Sequence, residues 1–157
     1  MSGISIKRFE DCESFRDGND GQYEYDERPA IPEEGTKHCI VCFYEIPPGK
    51  SNYPYHYHLD QEEVFYIIKG EGILKTPDGE KRVSAGDLVF FPAGESGAHK
   101  LTNASETEIL RYIDFDTIAE MDVAVYPDSG KVGIWSEKLN KVFRLADKAG
   151  YYDGEET

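Results

Sequence analysis

Short runs of β-branched and aromatic residues, each closed by turn residues, recur through the middle of the chain. The first run covers residues 39–46 and ends at the proline-rich turn 47–49. Comparable runs follow at 64–68, 73–76, 81–83, 88–91, 99–101 and 109–115. Asp78-Gly79 separates two of these runs and indicates a hairpin, because glycine accepts the positive φ that tight turns need. Short strands at this spacing predict an all-β protein with an antiparallel sandwich or barrel.

The two ends of the chain lack this regular alternation. Residues 11–36 are rich in acidic side chains and include two prolines, so we expect a long arm with one strand. Residues 116–157 are mixed in character. Within them, the segment 132–135 predicts a short strand and the segment 151–157 an acidic tail.

We therefore expect a single domain over residues 1–157. Its barrel core would cover about 39–115, with an N-terminal arm at 1–38 and a C-terminal extension at 116–157. An arm that carries apolar side chains without a core of its own must pack on the barrel or on a second subunit. We favour the second subunit, and a homodimer is the expected assembly.

Composition and charge narrow the functional classes. The chain has 157 residues and a formal net charge of −14, from 17 Lys and Arg against 31 Asp and Glu. Aromatic residues make up 13%, which distinguishes the chain from acidic disordered proteins. The negative charge argues against nucleic acid or an anionic membrane surface as a partner. We expect this charge to serve solubility rather than the choice of substrate.

Two further features indicate the compartment. The N-terminus lacks the apolar stretch of a secretory signal, and no apolar run approaches the roughly 20 residues that span a bilayer. Three cysteines are too few and odd in number for a disulfide framework. Together these features predict a reduced, cytoplasmic protein.

His56 and His58, separated by one tyrosine, are the first candidates for chemistry. On a strand, residues i and i+2 face the same side, so the two imidazoles can converge on one ion. Glu62 and Glu63 follow at the start of the next predicted strand and can bring a carboxylate beside them. Two histidines and one carboxylate with open positions form a known metal arrangement. The acidic segment 60–63 is also compatible with a solvated turn.

Glycines and prolines around these residues follow two ordered motifs. The first consists of Gly49, His56, His58, Glu63 and Gly70. The second consists of Gly86, Pro92-Ala93-Gly94, His99 and Asn103. Both resemble the motifs of the cupin family, over about residues 43–115, although the spacers before His56 and before His99 are slightly longer than usual. The spacing to the following glycine selects Glu63 rather than Glu62 as the motif carboxylate.

The resemblance implies a cupin-type antiparallel jelly-roll barrel that binds one divalent transition metal in its mouth. Its ligands would be His56, His58, Glu63 and His99. Imidazole and carboxylate donors suit Fe, Mn, Zn, Ni or Co and do not choose among them. Because family members bind their substrates beside the metal, a small-molecule ligand or substrate is the expected partner.

Strand alternation predicts some of the side chains that line the pocket. Phe65 and Ile67 have the parity of Glu63 along their strand, and Leu101 has the parity of His99. These three apolar side chains are therefore expected to point inward.

Arg111 lies on the last predicted barrel strand and is a candidate for binding a substrate carboxylate or phosphate. This role requires an inward side chain. Leu110 and Tyr112, its neighbours, form an equally good inward set, so both orientations stay open.

Two classes of function remain open at this stage. The first is a small metalloenzyme, resembling either sugar-phosphate isomerases or Fe(II) oxygenases. A sugar-phosphate isomerase needs basic side chains at the pocket, for which Arg111 and Lys75 are the candidates, whereas an oxygenase needs a largely apolar pocket. The second class is a non-enzymic protein in which the metal orients or senses a small ligand. No catalytic residue is predicted.

Overall fold

The computed structural model describes residues 3–19 and 21–155, so position 20 and the extreme ends of both predicted arms lie outside the described residues. The strands of this part, in chain order, are β1 (Phe15–Gly18), β2 (Glu24–Ile31), β3 (Cys39–Ile46), β4 (Tyr57–His58), β5 (Glu63–Lys69), β6 (Glu71–Thr76), β7 (Gly79–Ser84), β8 (Leu88–Phe91), β9 (Lys100–Asn103), β10 (Leu110–Thr117), β11 (Met121–Tyr126), β12 (Lys131–Ser136) and β13 (Asn140–Arg144). The helical segments here are 3₁₀ turns of three residues, such as Glu95–Gly97. None of these described helices has the length and apolar character needed to cross a bilayer.

The strands form three sheets with antiparallel ladders. The largest has the order β1-β2-β3-β10-β5-β8, the second β13-β12-β11-β4 and the third β7-β6-β9. Strands far apart in sequence pair directly, as where Tyr112 of β10 lies opposite Tyr44 of β3. The prediction of an all-β antiparallel fold is confirmed.

The predicted N-terminal arm belongs to the largest sheet of its own chain. It contributes two strands rather than one, with β2 paired to β3 and β1 at the outer edge. The β2–β3 register shifts between Pro29 and Ile31. Proline has no N–H to donate to a ladder, and a bulge accommodates it without breaking the strand.

The C-terminal extension forms most of the second sheet. Its strands β11, β12 and β13 pair in sequence, and β11 also pairs with β4, where Ala124 lies opposite His58. The predicted short strand at 132–135 lies within β12. The extension therefore supports the short strand that carries a predicted metal ligand, while the limits of the domain stay a prediction.

Alternation along β5 orients the core. Glu63, Phe65 and Ile67 are buried, while Tyr66 and Ile68 are exposed on the opposite face. The buried apolar side chains form one cluster of Tyr25, Cys42, Tyr44, Ile46, Phe65, Ile67, Leu74, Val83, Phe91, Leu101, Leu110 and Tyr112. Burial of each large aliphatic or Phe side chain stabilises the fold by about 1.5–3 kcal/mol. This cluster forms the apolar floor below the polar residues described next.

Two glycines let segments of backbone approach closely. Gly70 has a φ of +86°, and a Cβ there would lie 2.8 Å from the carbonyl oxygen of Ile109. A Cβ on Gly97 would collide with the carbonyl oxygen of Pro92. A side chain at either position would push these segments apart, and Gly97 lies two residues before His99.

Candidate metal centre

Three histidines meet where β4 approaches the segment before β9. His56 and His99 form an antiparallel bridge, with their backbone N–H groups donating to each other's carbonyl oxygens at 3.1 and 2.8 Å. The ring centroid of His56 lies 5.0 Å from that of His58 and 4.8 Å from that of His99. We call these three residues the histidine wall.

Each ring of the histidine wall is fixed by a hydrogen bond at Nδ1. His56 Nδ1 lies 2.9 Å from the Pro54 carbonyl oxygen, and His99 Nδ1 lies 2.9 Å from the Gly97 carbonyl oxygen. A carbonyl can only accept, so these Nδ1 atoms donate and both Nε2 atoms carry lone pairs in the neutral ring. Burial lowers the pKa of His56 to about 4 and that of His99 well below its usual value, which keeps both rings neutral near pH 7.

His58 is fixed by a side chain instead of the backbone. Its Nδ1 lies 2.5 Å from Asp122 Oδ2, and Asp122 Oδ1 accepts the backbone N–H groups of Asp60 and Gln61. Burial alone would lower the pKa of His58, but the hydrogen bond to Asp122 and the nearby Glu63 carboxylate outweigh it and raise that pKa. A carboxylate on Nδ1 orients a histidine with its Nε2 free for a metal.

Glu63 faces the histidine wall from β5. Its Oε1 lies 3.8 Å from His58 Nε2, and its Oε2 lies 3.3 Å from His99 Nε2. One ligand atom from each of His56, His58 and Glu63 lies within 4.8 Å of the other two. Glu63 is buried whereas Glu62 is exposed, which matches the choice made from the motif spacing.

Three of the four predicted ligands, His56, His58 and Glu63, lie close enough together to hold a divalent transition metal. His99 Nε2 is buried and has no hydrogen-bond partner. As a lone-pair acceptor it lies 3.3 Å from a Glu63 oxygen, which also accepts, so a cation or a proton between them is needed to stabilise the contact. Neutral imidazoles and a carboxylate are donors that bind such ions. His56, His58 and Glu63 therefore form a candidate metal site, with His99 in contact with Glu63.

Two acidic residues not singled out in the sequence complete the cavity. Asp114 and Asp116 on β10 each place a carboxylate oxygen within 4.8 Å of Glu63 and of each other. The Oδ1 atoms of both aspartates are buried without a hydrogen-bond partner. Burial raises the pKa of all three carboxyl groups, that of Glu63 to about 8. We call Glu63, Asp114 and Asp116 the carboxylate wall.

The sequence held a signal for this wall but none for Asp122. Asp114 and Asp116 are the next alternate residues after Leu110 and Tyr112 on β10, so they face the same side. Leu110 and Tyr112 form the inward set that the sequence analysis gives as the alternative to Arg111. Asp122 lies 64 residues after His58 and outside both motifs, so nothing local links the two.

The walls enclose a cavity of about 200 Å³. It is lined by Tyr44, Tyr53, His56, His58, Gln61, Glu63, Asp114, Asp116, Tyr126 and Trp135. Tyr126 and Trp135 come from β11 and β12, so the C-terminal extension closes one side of the cavity. Neither lysine nor arginine contributes to this lining in the described part of the chain.

The other predicted pocket residues lie elsewhere. Phe65, Ile67 and Leu101 are buried in the apolar cluster below the cavity, where the Phe65 ring centroid is 5.4 Å from that of His99. Arg111 faces away from the cavity lining, with its Nη2 2.7 Å from Glu45 Oε1 and its guanidinium 3.8 Å from the Phe9 ring centroid.

Lys75, the second candidate for phosphate binding, is also engaged away from the histidine wall. Its Nζ lies 2.6 Å from Asp128 Oδ2 and 4.2 Å from the ring centroid of Tyr55. The structure therefore brings together the four predicted metal ligands and places both predicted phosphate ligands in other contacts.

Sequence comparison agrees with this geometry. Residues 42–116 match the model of the cupin domain. An oxalate-binding protein from Thermotoga maritima is 34% identical over 74 residues, which are 47% of this chain and 59% of that protein. The chain thus matches less than two thirds of this relative's length.

Solved structures are similar over more of the chain. A protein from Acidithiobacillus ferrooxidans, provisionally described as a sugar phosphate isomerase, matches with a TM-score of 0.70 and 26% identity over 80% of both chains. A sugar phosphate isomerase of the cupin superfamily from Silicibacter pomeroyi matches with a TM-score of 0.81 over 95% of this chain and 98% of that one. At 19% identity the second match speaks for the fold alone. The two motifs, the matching family model and this barrel identify a cupin domain over residues 42–116 of the chain.

Proposed function

We propose that this cupin is a metal-dependent isomerase of a small hydroxy-carbonyl compound. His56, His58, His99 and Glu63 would hold one divalent transition metal ion. Asp114 and Asp116 would carry protons at the substrate. The observation that carries the proposal is the pairing of the two walls, because fixed imidazole nitrogens and unpartnered carboxylate oxygens face one cavity.

A bound divalent ion would supply Lewis-acid polarisation of the substrate carbonyl. The chain's own residues supply the remaining requirements. The hydrogen bonds at Nδ1 hold the imidazoles in one tautomer, so their Nε2 atoms need no reorientation. Tyr126 and Trp135 reduce the access of water to the cavity, which strengthens electrostatic interactions inside it.

The carboxylate wall provides the proton transfer that an isomerisation needs. A carboxylate of Asp114 or Asp116 would take the proton from the hydroxyl-bearing carbon, and the same group would return it to the former carbonyl carbon. The hydroxyl proton moves to the former carbonyl oxygen, so no proton or electron is gained or lost overall. Carboxylates commonly serve as general bases and acids of this kind when they lie within reach of the carbon.

The side chains that line the cavity favour isomerisation over oxygenation. An oxygenase pocket is expected to be largely apolar, and the apolar candidates Phe65, Ile67 and Leu101 belong to the core cluster. The cavity instead has acidic and aromatic side chains. The similarity to the Acidithiobacillus ferrooxidans protein, which is described as a sugar phosphate isomerase, also supports this choice.

Non-enzymic binding is the second candidate function. It is supported by the relative from Thermotoga maritima, which is described as an oxalate-binding protein. In that case the same four ligands would orient a small molecule at the metal without turnover.

Elemental analysis of the purified protein, followed by a hydrogen-exchange assay, tests the proposal. We expect about one equivalent of a divalent transition metal. When the metal-loaded protein is incubated with hydroxy-carbonyl compounds in heavy water, we expect deuterium at the carbon next to the carbonyl. The double variant Asp114→Asn/Asp116→Asn, which lacks both candidate bases, should lose this exchange, and Glu80→Gln, on the exposed β6–β7 hairpin, should keep it.

Metal without exchange in any hydroxy-carbonyl compound, together with saturable ligand binding, would support the binding protein instead. Protein that takes up no metal would contradict both candidates.

A further inference from the structure

We propose that the cavity selects a neutral, polyhydroxylated ligand and discriminates against its phosphorylated or dicarboxylate counterpart. The inference deepens the proposed function, on which it rests, by naming the chemical class of the substrate. It differs from what the names of the similar proteins suggest, since those refer to sugar phosphates and oxalate.

The first argument is the charge around the cavity. Glu63, Asp114 and Asp116 all line it, and each places a carboxylate oxygen within 4.8 Å of the other two. When all three groups are ionised, one divalent ion offsets two of their negative charges and one remains. Whether they are ionised or protonated, no lysine or arginine on the described lining is available to receive a ligand phosphate.

The second argument is that Arg111 and Lys75, the predicted phosphate ligands, already form ion pairs outside the cavity. Arg111 is held by Glu45 and packs on Phe9, and Lys75 is held by Asp128. Moving either side chain into the cavity would break an ion pair and leave a carboxylate unpaired. Neutral hydroxyl groups require no such cation.

The third argument is the supply of hydrogen-bond acceptors. Asp114 Oδ1 and Asp116 Oδ1 are buried and have no partner, and Asp114 is 3% exposed. A carboxylate oxygen only accepts, so it is satisfied by a ligand group that donates. Hydroxyl groups donate without bringing negative charge.

The fourth argument is the aromatic side of the cavity. Tyr126 and Trp135 both line it, and the Tyr126 ring stacks on His56 with their centroids 5.9 Å apart. Small-molecule sites commonly combine aromatic surfaces with a few placed polar groups. A sugar-like ring has an apolar C–H face for the aromatic rings and hydroxyl groups for the aspartates.

The chain contains its own probe for the test. Trp135 is the only tryptophan, and it lines the cavity, so its fluorescence reports occupancy of this site. We would titrate the metal-loaded protein with mannose and with mannose 6-phosphate, and run glucosamine and oxalate in parallel. Isothermal titration calorimetry would confirm the affinities.

We expect mannose or a closely related neutral sugar to bind at least about ten-fold more tightly than its 6-phosphate, because like charges repel strongly in a partly dry cavity. Asp116→Asn should reduce the ratio of the affinity for the neutral sugar to the affinity for its 6-phosphate, because it removes one negative charge at nearly constant side-chain volume. Glu80→Gln removes the same charge from an exposed hairpin and should leave the ratio unchanged. Metal content is measured for each variant, so loss of the ion is recognised separately.

Tighter or equal binding of the 6-phosphate would overturn the inference, as would binding of oxalate alone or glucosamine alone. Absence of binding by every neutral sugar tried would also overturn it. Binding of a neutral sugar without hydrogen exchange would leave the ligand class in place and contradict the isomerase proposal, so the two failures are distinguishable.

Discussion

The two walls of the cavity are equally buried but differ in how their polar atoms are partnered. In the histidine wall, every Nδ1 has a hydrogen-bond partner, from the backbone for His56 and His99 and from Asp122 for His58. In the carboxylate wall, Asp114 Oδ1 and Asp116 Oδ1 have none. The fold thus fixes all three rings of the histidine wall, although His99 Nε2 has no partner, whereas it fixes neither of these two carboxylate oxygens.

This difference indicates which side chains are already held in position before a metal ion or a ligand binds. Imidazoles fixed in tautomer and orientation form a preorganised site, and metal binding then costs little rearrangement. Unpartnered buried carboxylates are costly until a proton, a cation or a donating ligand reaches them. The histidine wall together with Glu63 is thus suited to a resident ion, and Asp114 and Asp116 are suited to groups that bind and leave.

The largest effect on metal binding is expected when a predicted ligand is removed from the histidine wall. We expect His58→Ala to lose metal almost completely, because the remaining donors no longer surround the ion. Inductively coupled plasma mass spectrometry measures the loss, and circular dichroism checks that the β fold persists. His38→Ala is the matched control, since His38 is exposed, and it should retain full metal content. Full metal content in a His56→Ala/His58→Ala double variant would contradict the ligand assignment.

The grouping of His56, His58 and Glu63 could be predicted because it depends on local spacing, whereas their role as ligands stays a prediction. His56 and His58 share a face of one strand, and the glycines of the two motifs turn the chain so that Glu63 and His99 arrive beside them. Alternation predicts such short-range relations directly. The buried Glu63 and the exposed Glu62 in the structure match the choice made from the spacing to Gly70.

The second test concerns a partner behind the ligands. Asp122→Asn keeps the size of the side chain but removes the negative charge that holds His58 Nδ1. Removing such a partner typically weakens metal affinity by about 10–100-fold. Competition with a chromogenic chelator measures the affinity. Asp114→Asn, in the carboxylate wall, should change the metal affinity far less than Asp122→Asn. An equal loss of metal affinity in both variants would show that the two walls do not differ as proposed.

Asp122 shows why part of the site could not be predicted. It reaches His58 only because β11 pairs with β4, a contact between segments more than sixty residues apart. The same limit applies to the N-terminal arm, for which one strand was expected, whereas the structure has two, with a bulge in β2 after Pro29. The all-β antiparallel fold depended on patterns within each strand and was confirmed, whereas these pairings depended on tertiary contacts.

The third test uses pH to separate the two walls in the metal-free protein. Burial raises the pKa of Glu63 from 4.5 to about 8, so between these values the folded state binds more protons than the unfolded chain and the free energy of unfolding falls as pH rises. Burial lowers the pKa of His56 from 6.5 to about 4, so over that interval this histidine makes stability rise with pH. Above pH 6.5 the contribution of His56 is complete. The raised pKa of His58 then makes stability fall with pH, in the same direction as the carboxylate wall, so the Asp114→Asn variant is needed to identify the carboxylate part.

We therefore expect the urea midpoint of chelator-treated protein to decrease between pH 6.5 and pH 8. Asp114→Asn should flatten this decrease, because burial raises the pKa of Asp114 in the same direction and asparagine does not titrate. Glu80→Gln should leave it unchanged. Metal-loaded protein should show little decrease, since the ion replaces protons between the walls. A midpoint that rises over this interval in the metal-free protein would contradict the carboxylate assignment.

The smallest effect on the site is expected from a change on the far side of the largest sheet. Tyr66 and Leu88 lie opposite each other in the β5–β8 ladder and are 42% and 67% exposed, and Phe90 beside them is 53% exposed. An exposed apolar face of this kind is typical of a subunit interface, and a second copy of the chain is the partner that we predict for it.

Sedimentation equilibrium of the protein should therefore give a mass of about twice 17.8 kDa. Leu88→Lys should shift the mass towards the monomer while Val142→Lys, a matched change at an exposed position of β13, should not. Because both substitutions lie away from the two walls, metal content should be the same in each variant, and a monomeric parent protein would contradict the predicted homodimer.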